Sequence, residues 1–196
     1  MIKSLTIFGV ILVASFIFLS CGNKKTEDQN TTSDLTSKEN KLKTEQELRV
    51  ANDQLYDALN AMFTGDMKPM SDLWSHEENV TDMGPFGGRL TGWAAVEAEF
   101  KKEAAMKLGG KIVCKDLHIY TGTDMGFTVC VEEGENMSAD GKPTLVSHRA
   151  TNIFHRKNGQ WKLVHHQTDL SPELVKATAA NTLVKIRAGY KYSGIK

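Results

Sequence analysis

The spacing of apolar residues predicts that the first half of the chain is helical. Between Leu48 and Phe63 they recur every three or four positions, as on the buried face of an amphipathic helix. Thr44-Glu45-Gln46-Glu47 has the form of a capping box, so we expect this helix to begin at Thr44. A short second helix is predicted over 68–73. A third helix is predicted after Thr91, which has a side chain suited to an N-cap.

In the second half of the chain the apolar period changes to two, which is typical of strands with one buried face. One short strand also precedes the third helix, so the predicted strands are 80–83, 111–120, 126–132, 144–156 and 161–168. Helices followed by antiparallel strands predict an α+β fold. We expect a cone-shaped, curved antiparallel sheet wrapped around three N-terminal helices, with an interior too wide for side chains to fill and one open mouth.

Both ends of the chain indicate segments outside this domain. Residues 1–20 contain an apolar run shorter than the roughly 20 residues of a membrane span, as in a signal peptide. The run ends at Phe18-Leu19-Ser20-Cys21-Gly22, which resembles a bacterial lipobox with Cys21 as the lipidated residue; a signal-anchor helix is the alternative. Residues 21–41 predict a flexible tether, 42–170 the folded domain, and 171–196 an additional C-terminal helix and tail. We therefore expect a lipoprotein of the bacterial cell envelope that touches the membrane only through its lipid anchor.

The final predicted hairpin, over 146–169, collects histidines, arginines and a tryptophan around Lys157-Asn158-Gly159. If these three residues form the turn, the side chains of Arg149, Thr151, His165 and Gln167 share one face, which we expect to point inward. If the turn is Asn158-Gly159 alone, the pairing moves by one residue and Arg149 leaves the group. A buried Arg149 would need an anionic ligand or an acid such as Asp82 or Asp169. His165 has a purely structural alternative, as a core histidine bonded to Thr151.

Charge and cysteine usage narrow the possible chemistry. Lys plus Arg and Asp plus Glu number 24 each, so no basic field would attract nucleic acid. His165 and His166 are neighbours on one strand and point to opposite faces, and no spacing of His, Cys and acidic residues fits a metal site. We expect no metal and no cofactor. Cys114 and Cys130 fall almost opposite each other in consecutive strands, where two free thiols are expected rather than a disulfide.

Three motifs resemble the SnoaL-like branch of the nuclear transport factor 2-like superfamily. They are ALNAMFTGD in the first helix, LWSHEENVTDMGPFGG with GWAAVEAEF, and RATNIFHRKNGQWKLVHHQTD at the end. The resemblance spans about residues 45–169 and implies a roll of the cystatin or ketosteroid isomerase kind; it also favours the three-residue turn. The resemblance marks seven candidate site residues: Trp74, His76, Arg149, Thr151, Trp161, His165 and Asp169. At Gln167, also a candidate ligand-binding residue, the sequence departs from the family's histidine. Trp93 is a further candidate for the wall of the cavity.

Three functions are consistent with these residues. The first is a binding module for a small, mostly apolar or weakly anionic molecule. The second is an isomerase or cyclase that transfers a proton next to a carbonyl group, with His165 or Asp82 as the catalytic base and Trp74, His76 or Arg149 as hydrogen-bond donors. The third is a purely structural role, as a homodimer formed through the open face of the sheet. We expect the protein to be a homodimer under the first two functions as well.

Overall fold

The computed structural model describes residues 25–85, 87–138, 140–172 and 175–176. The chain divides into two units, 1–37 and 38–196, and the second contains the sheet. The elements are α1 (Lys25–Met62), α2 (Lys68–Leu73), β1 (Thr81–Met83), β2 (Leu90–Thr91), α3 (Trp93–Met106), β3 (Lys111–Thr121), β4 (Met125–Met137), β5 (Pro143–Lys157) and β6 (Gln160–Leu170). The predicted α+β class is confirmed.

The strands form one curved, unclosed sheet in the order β2-β1-β6-β5-β4-β3. Strands β3 to β6 are an antiparallel meander, as the period-two pattern predicted. Strand β1 instead pairs parallel to β6, with Thr81 opposite His165 and Asp82 opposite His166. The sheet is therefore mixed rather than wholly antiparallel. Helix α3 connects β2 at one edge of the sheet to β3 at the other, and β6, the last strand of the meander, lies beside β1 in the same direction.

The helical stripe of α1 packs into the hydrophobic core of the domain. Leu48, Leu55 and Met62 are at most 2% exposed, and they recur at the seven-residue interval that keeps side chains on one face of a helix. From the sheet, Phe154 and Leu163 are fully buried in the same cluster. Complete burial of a side chain of this size stabilises the fold by about 1.5–3 kcal/mol.

The start of α1 differs from the prediction. The helix begins at Lys25, so Thr44 is not an N-cap; its hydroxyl donates to the carbonyl of Asn40 one turn earlier, at 2.9 Å. Upstream of the core, Leu35 and Leu42 are 64% and 60% exposed. Residues 34–43 of this helix are therefore exposed, and the helix can continue without an apolar face because adding a residue to an existing helix requires no new nucleation. The flexible tether expected over residues 21–41 stays a prediction, but from Lys25 onwards this segment is helical.

The hairpin also differs from the favoured register. Lys157 pairs with Gln160 around a two-residue turn, in which Asn158 and Gly159 have φ of 50° and 78°. Positive φ at both positions is the requirement of a type I′ turn. The register then shifts by one residue between Phe154 and Ile153, which leaves Val164 as the extra residue of a β-bulge on β6.

The start of α3 also differs from the prediction. Thr91 belongs to β2 and is not the N-cap. The residue before α3 is Gly92, which has no side chain for capping and whose φ of 84° suits glycine.

The predicted signal peptide and Cys21 lie outside the described residues, as does most of the predicted C-terminal helix. In the described part of the chain, no helix combines the length and apolar character needed to cross a membrane.

Candidate functional site

A cavity of about 300 Å3 lies between the helices and the inner face of the sheet. Its apolar wall comes from α1, α2 and α3, with Leu55, Met70 and Phe100 among the contributors. Polar groups enter from β1, β4, β5 and β6, and they are Asp82, Glu132, His148, His166 and Thr168. This combination of apolar walls and a few converging polar groups is typical of a small-molecule site.

Asp82 is a carboxyl group of the cavity with one oxygen that lacks a partner. The residue is 6% exposed, and its Oδ1 is buried without a hydrogen bond to any described residue. Burial raises the pKa of Asp82, the charge of His166 opposes this, and Glu132 and Glu99 add to it. An acid held in this way can accept or give up a proton closer to neutral pH than a solvated aspartate.

A second acid of the cavity, Glu103, lies on the last turns of α3. Burial, followed by the charges of Asp82 and Glu99, raises its pKa to about 7. Glu99 also lines the cavity. Four carboxyl groups therefore face two histidines, so the electrostatic potential inside disfavours an anionic guest.

Glu132, unlike Asp82, has a partner for each of its carboxylate oxygens. Its Oε1 accepts a hydrogen bond from the hydroxyl of Tyr56 at 3.3 Å, and its Oε2 lies 3.6 Å from Nδ1 of His148. Glu132 is 2% exposed and His148 is 8% exposed. This group connects the cavity wall to α1 through Tyr56.

His166 is oriented by a buried amide network. Its Nδ1 lies 2.7 Å from Oδ1 of Asn152, whose Nδ2 points to Oδ1 of Asn52 at 3.3 Å and to Oγ1 of Thr128 at 3.2 Å. The Thr128 hydroxyl donates to the same Asn52 oxygen at 2.8 Å. Since these acceptors require the amide NH2 of Asn152, its oxygen must accept the proton on Nδ1 of His166. When His166 is neutral, its Nε2 can then accept a hydrogen bond, and it has no partner among the described residues.

Trp74 forms the aromatic end of the cavity. It is 2% exposed, its ring centroid lies 5.6 Å from that of Phe100, and its Nε1 is buried without a partner among the described residues. Oγ1 of Thr168 is in the same situation. Because buried polar groups are nearly always paired with protein or water, these atoms and Oδ1 of Asp82 mark where a guest would form hydrogen bonds.

Four predicted site residues lie on the opposite face of the sheet. Arg149 pairs outward with Asp169 in a two-contact ion pair, with side chains 61% and 49% exposed. Thr151 and Gln167 pair with each other on that face. The expectation that these residues point inward was wrong for two reasons. Arg149 and Thr151 alternate with the buried residues of β5, and the bulge at Val164 gives the inner positions of β6 to His166 and Thr168.

His165 shares this outer placement. Its Nδ1 lies 2.7 Å from Oγ1 of Thr81, on the opposite face of β1 from Asp82. Burial, then the charge of His166, lowers its pKa. The structure therefore places His165 outside the cavity, and its hydrogen-bond partner is Thr81 rather than the expected Thr151.

Two further candidates, His76 and Trp93, stack beside the cavity wall. Their rings are 4.4 Å apart and inclined by 10°, and Nε2 of His76 bonds the carbonyl of Ser71 at 2.9 Å. Trp93 packs behind Trp74, with ring centroids 6.3 Å apart. Both support the aromatic wall without lining the cavity.

Sequence reasoning missed most of the inner polar residues, namely Glu99, Glu103, Glu132, His148, Asn152, His166 and Thr168. The available signal was the alternation along β5, where Val146, Ala150 and Phe154 share their parity with His148 and Asn152. On β6 the parity changes at the bulge, because Leu163 and Thr168 are both buried although they are five residues apart. Among the described residues, no group of three or more His, Cys, Asp and Glu is arranged to hold a metal ion.

The curved sheet, the three helices packed on it and the cavity between them are the architecture of the nuclear transport factor 2-like fold. The profile of the SnoaL-like domain matches residues 49–171, and the chain belongs to that family.

Several solved structures have the same fold. A proposed dehydratase of the nuclear transport factor 2-like family from Streptomyces avermitilis is 23% identical, with 65% of this chain and 95% of that one covered and a TM-score of 0.57. A protein from Novosphingobium aromaticivorans with a cystatin-like fold is 17% identical, with coverages of 75% and 94% and a TM-score of 0.58. A proposed kinase type II association domain from Thiobacillus denitrificans is 22% identical, with coverages of 63% and 94% and a TM-score of 0.54. No curated protein matches the chain.

Proposed function

We propose that the domain binds a small, neutral, mostly apolar molecule in this cavity and transfers a proton next to a carbonyl group, with Asp82 as the base. The observation that carries the proposal is the Oδ1 of Asp82, which is buried and has no partner among the described residues, in a cavity whose helical walls are apolar. A structural carboxylate would be expected to have partners on both oxygens, as Glu132 has.

The surrounding groups suit the remaining steps of such a reaction. Nε1 of Trp74 is a buried donor without an acceptor in the described part of the chain, so it could stabilise the negative charge that develops on a carbonyl oxygen. His166 lies opposite Asp82 in the β1–β6 pair, and its Nε2 has no hydrogen-bond partner in the part of the chain that the structure describes. The family contains ligand-binding and isomerase- or dehydratase-type proteins, which is consistent with proton-transfer chemistry.

The charge of the cavity argues against the weakly anionic ligand expected from the sequence. That expectation relied on Arg149, which is engaged by Asp169 on the outer face. Asp82, Glu99, Glu103 and Glu132 would repel an anion. We therefore propose a neutral ligand with one hydrogen-bonding oxygen.

The test uses 2-tetralone, a bicyclic ketone with acidic α-protons, and 2-naphthol, which mimics its enol. Wild-type protein is expected to accelerate hydrogen–deuterium exchange next to the carbonyl, measured by proton NMR against buffer alone. Asp82→Asn is expected to reduce this exchange about 10²–10⁴-fold while 2-naphthol binding persists. Arg149→Ala is the matched control and should leave both unchanged.

Two other outcomes distinguish the alternatives. If 2-naphthol binds but wild-type protein produces no exchange, the binding module expected from the sequence replaces the enzyme. If Asp82→Asn exchanges protons as fast as wild type, Asp82 is not the base.

We also propose that the domain is a lipoprotein anchored through Cys21 on the bacterial cell envelope and that it forms a homodimer through the outer face of the sheet. The lipid anchor is supported by the lipobox-like sequence. It is tested by labelling with a clickable fatty acid, which Cys21→Ala should abolish.

The homodimer is supported by the exposed aromatic pair Tyr120 and Phe127, whose rings stack 4.5 Å apart on the outer face of the sheet.

A further inference from the structure

A pair of free thiols lies beside the cavity, outside the proposed reaction. Cys114 is on β3 and Cys130 on β4. Cys114 pairs across the sheet with Glu132, and Cys130 precedes Glu132 by two residues, so both side chains are on the same face. The two thiols therefore occupy diagonal positions on neighbouring strands.

The surroundings give the two sulfurs different roles. Cys114 is partly exposed, and Nδ2 of Asn52 lies 3.6 Å from its Sγ. Cys130 is buried, with the Tyr56 hydroxyl 3.0 Å from its Sγ. The neighbouring Cys130 thiol lowers the pKa of Cys114, whereas the neighbouring Cys114 and burial raise the pKa of Cys130. Cys114 is therefore both the accessible sulfur and the one that ionises more easily.

The backbone between the two cysteines can adjust. The pairing of β3 with β4 shifts between Lys115 and His118, and Asp116 within this irregularity has a φ of 51°. Diagonal neighbours on adjacent strands have Cα atoms roughly 7–8 Å apart, while a disulfide requires about 4.4–6.8 Å. A movement of about 1 Å therefore suffices, and a bulge is where a strand bends most easily.

We propose that Cys114 and Cys130 form a redox-active dithiol that a low-molecular-weight disulfide converts reversibly into an intramolecular disulfide. The Cys114 thiolate attacks one sulfur of the oxidant, forms a mixed disulfide and releases one thiolate. Cys130 gives up its proton, and its sulfur attacks Sγ of Cys114 and releases the second thiolate. The protein loses two electrons and two protons, and the oxidant becomes two thiols.

Formation of the disulfide would change the hydrogen bonds of a residue in the cavity wall. A sulfur bonded to Cys114 can no longer donate a hydrogen bond to Tyr56, whose hydroxyl also bonds Glu132. Glu132 lines the cavity and faces His148. The dithiol thus connects to the site through one tyrosine, although its chemistry does not depend on the proposed reaction.

The test treats the folded full chain with oxidised glutathione, blocks the remaining thiols with iodoacetamide and maps tryptic peptides by mass spectrometry. Cleavage after Lys111, Lys115 and Arg149 places the two cysteines in separate peptides, 112–115 and 116–149, because Lys142 precedes a proline. The expected product is these two peptides joined by a disulfide that dithiothreitol reverses. Cys21 falls in a different peptide and does not interfere.

Single variants define the order of attack. Cys130→Ser is expected to accumulate glutathione on Cys114, whereas Cys114→Ser should react at Cys130 at least roughly tenfold more slowly, because that thiol is buried and less ionised. The proposal is overturned if wild-type protein keeps glutathione on Cys114 without the joined peptide. It is also overturned if the two variants react equally fast, or if neither thiol reacts before the protein unfolds.

Discussion

Replacement of Glu103 by glutamine tests the electrostatic description of the cavity. Glu103 lies near the carboxyl end of α3, and its pKa is raised from 4.5 to about 7 by burial and by the charges of Asp82 and Glu99. The negative end of the helix dipole acts in the same direction. Ionised Glu103 therefore destabilises the folded state, and the neutral amide of glutamine removes that cost.

The magnitude and sign follow from linkage. The raised pKa of Glu103 corresponds to a destabilisation of the folded state by about 3 kcal/mol when the side chain is ionised, since each pKa unit is worth about 1.4 kcal/mol. The residue is partly exposed, so solvent screening reduces the measured effect to roughly 2 kcal/mol. Below pH 4.5 the side chain is protonated in both states, and Glu103→Gln and wild type should be equally stable. Between pH 4.5 and 7 the wild type loses this stability as the pH rises, and above pH 7 the difference is constant.

The assay is urea unfolding followed by tryptophan fluorescence, at intervals between pH 4 and pH 8. Glu97→Gln on the same helix is the control, since its carboxylate pairs with Lys101 at 3.0 Å at the surface and should change stability by at most about 1 kcal/mol. Equal stability of Glu103→Gln and wild type at pH 8 would refute the reasoning. An advantage of the variant that is the same at pH 4 and pH 8 would do so too, because it would then arise from packing and not from charge.

Three further predictions concern the hydrogen-bond network and the outer face. Asn152→Leu leaves His166 without the acceptor of its Nδ1 proton and should lower the free energy of unfolding by about 1–3 kcal/mol. The same variant should shift the pH dependence of 2-tetralone exchange, which a purely structural role would leave in place. Arg149→Ala breaks only the exposed ion pair with Asp169 and should cost at most about 1 kcal/mol in urea unfolding. Phe127→Glu should convert the proposed dimer to monomer in sedimentation velocity, and an unchanged sedimentation coefficient would exclude the outer face as the interface.

The sequence by itself determined the class of fold and most of the element positions. The helix over 68–73 and strands β3, β5 and β6 were predicted to within two residues at each end, because apolar periods of 3.6 and 2 follow directly from backbone geometry. Strand β4 was predicted to end at residue 132 but continues to Met137. The Asn158-Gly159 pair also indicated the type I′ turn that the structure has, although the resemblance favoured the three-residue alternative.

Only the tertiary structure decided which side chains meet. The bulge at Val164 changes the parity of β6 and brings His166 into the cavity instead of His165, and neighbouring sequence contains no clear signal for such an insertion. The carboxyl groups of the cavity come from β1, α3 and β4, which are distant in sequence and are brought together by the parallel pairing of β1 with β6. Their raised pKa values depend on burial and mutual distance, which are properties of the packed domain and not of any local pattern.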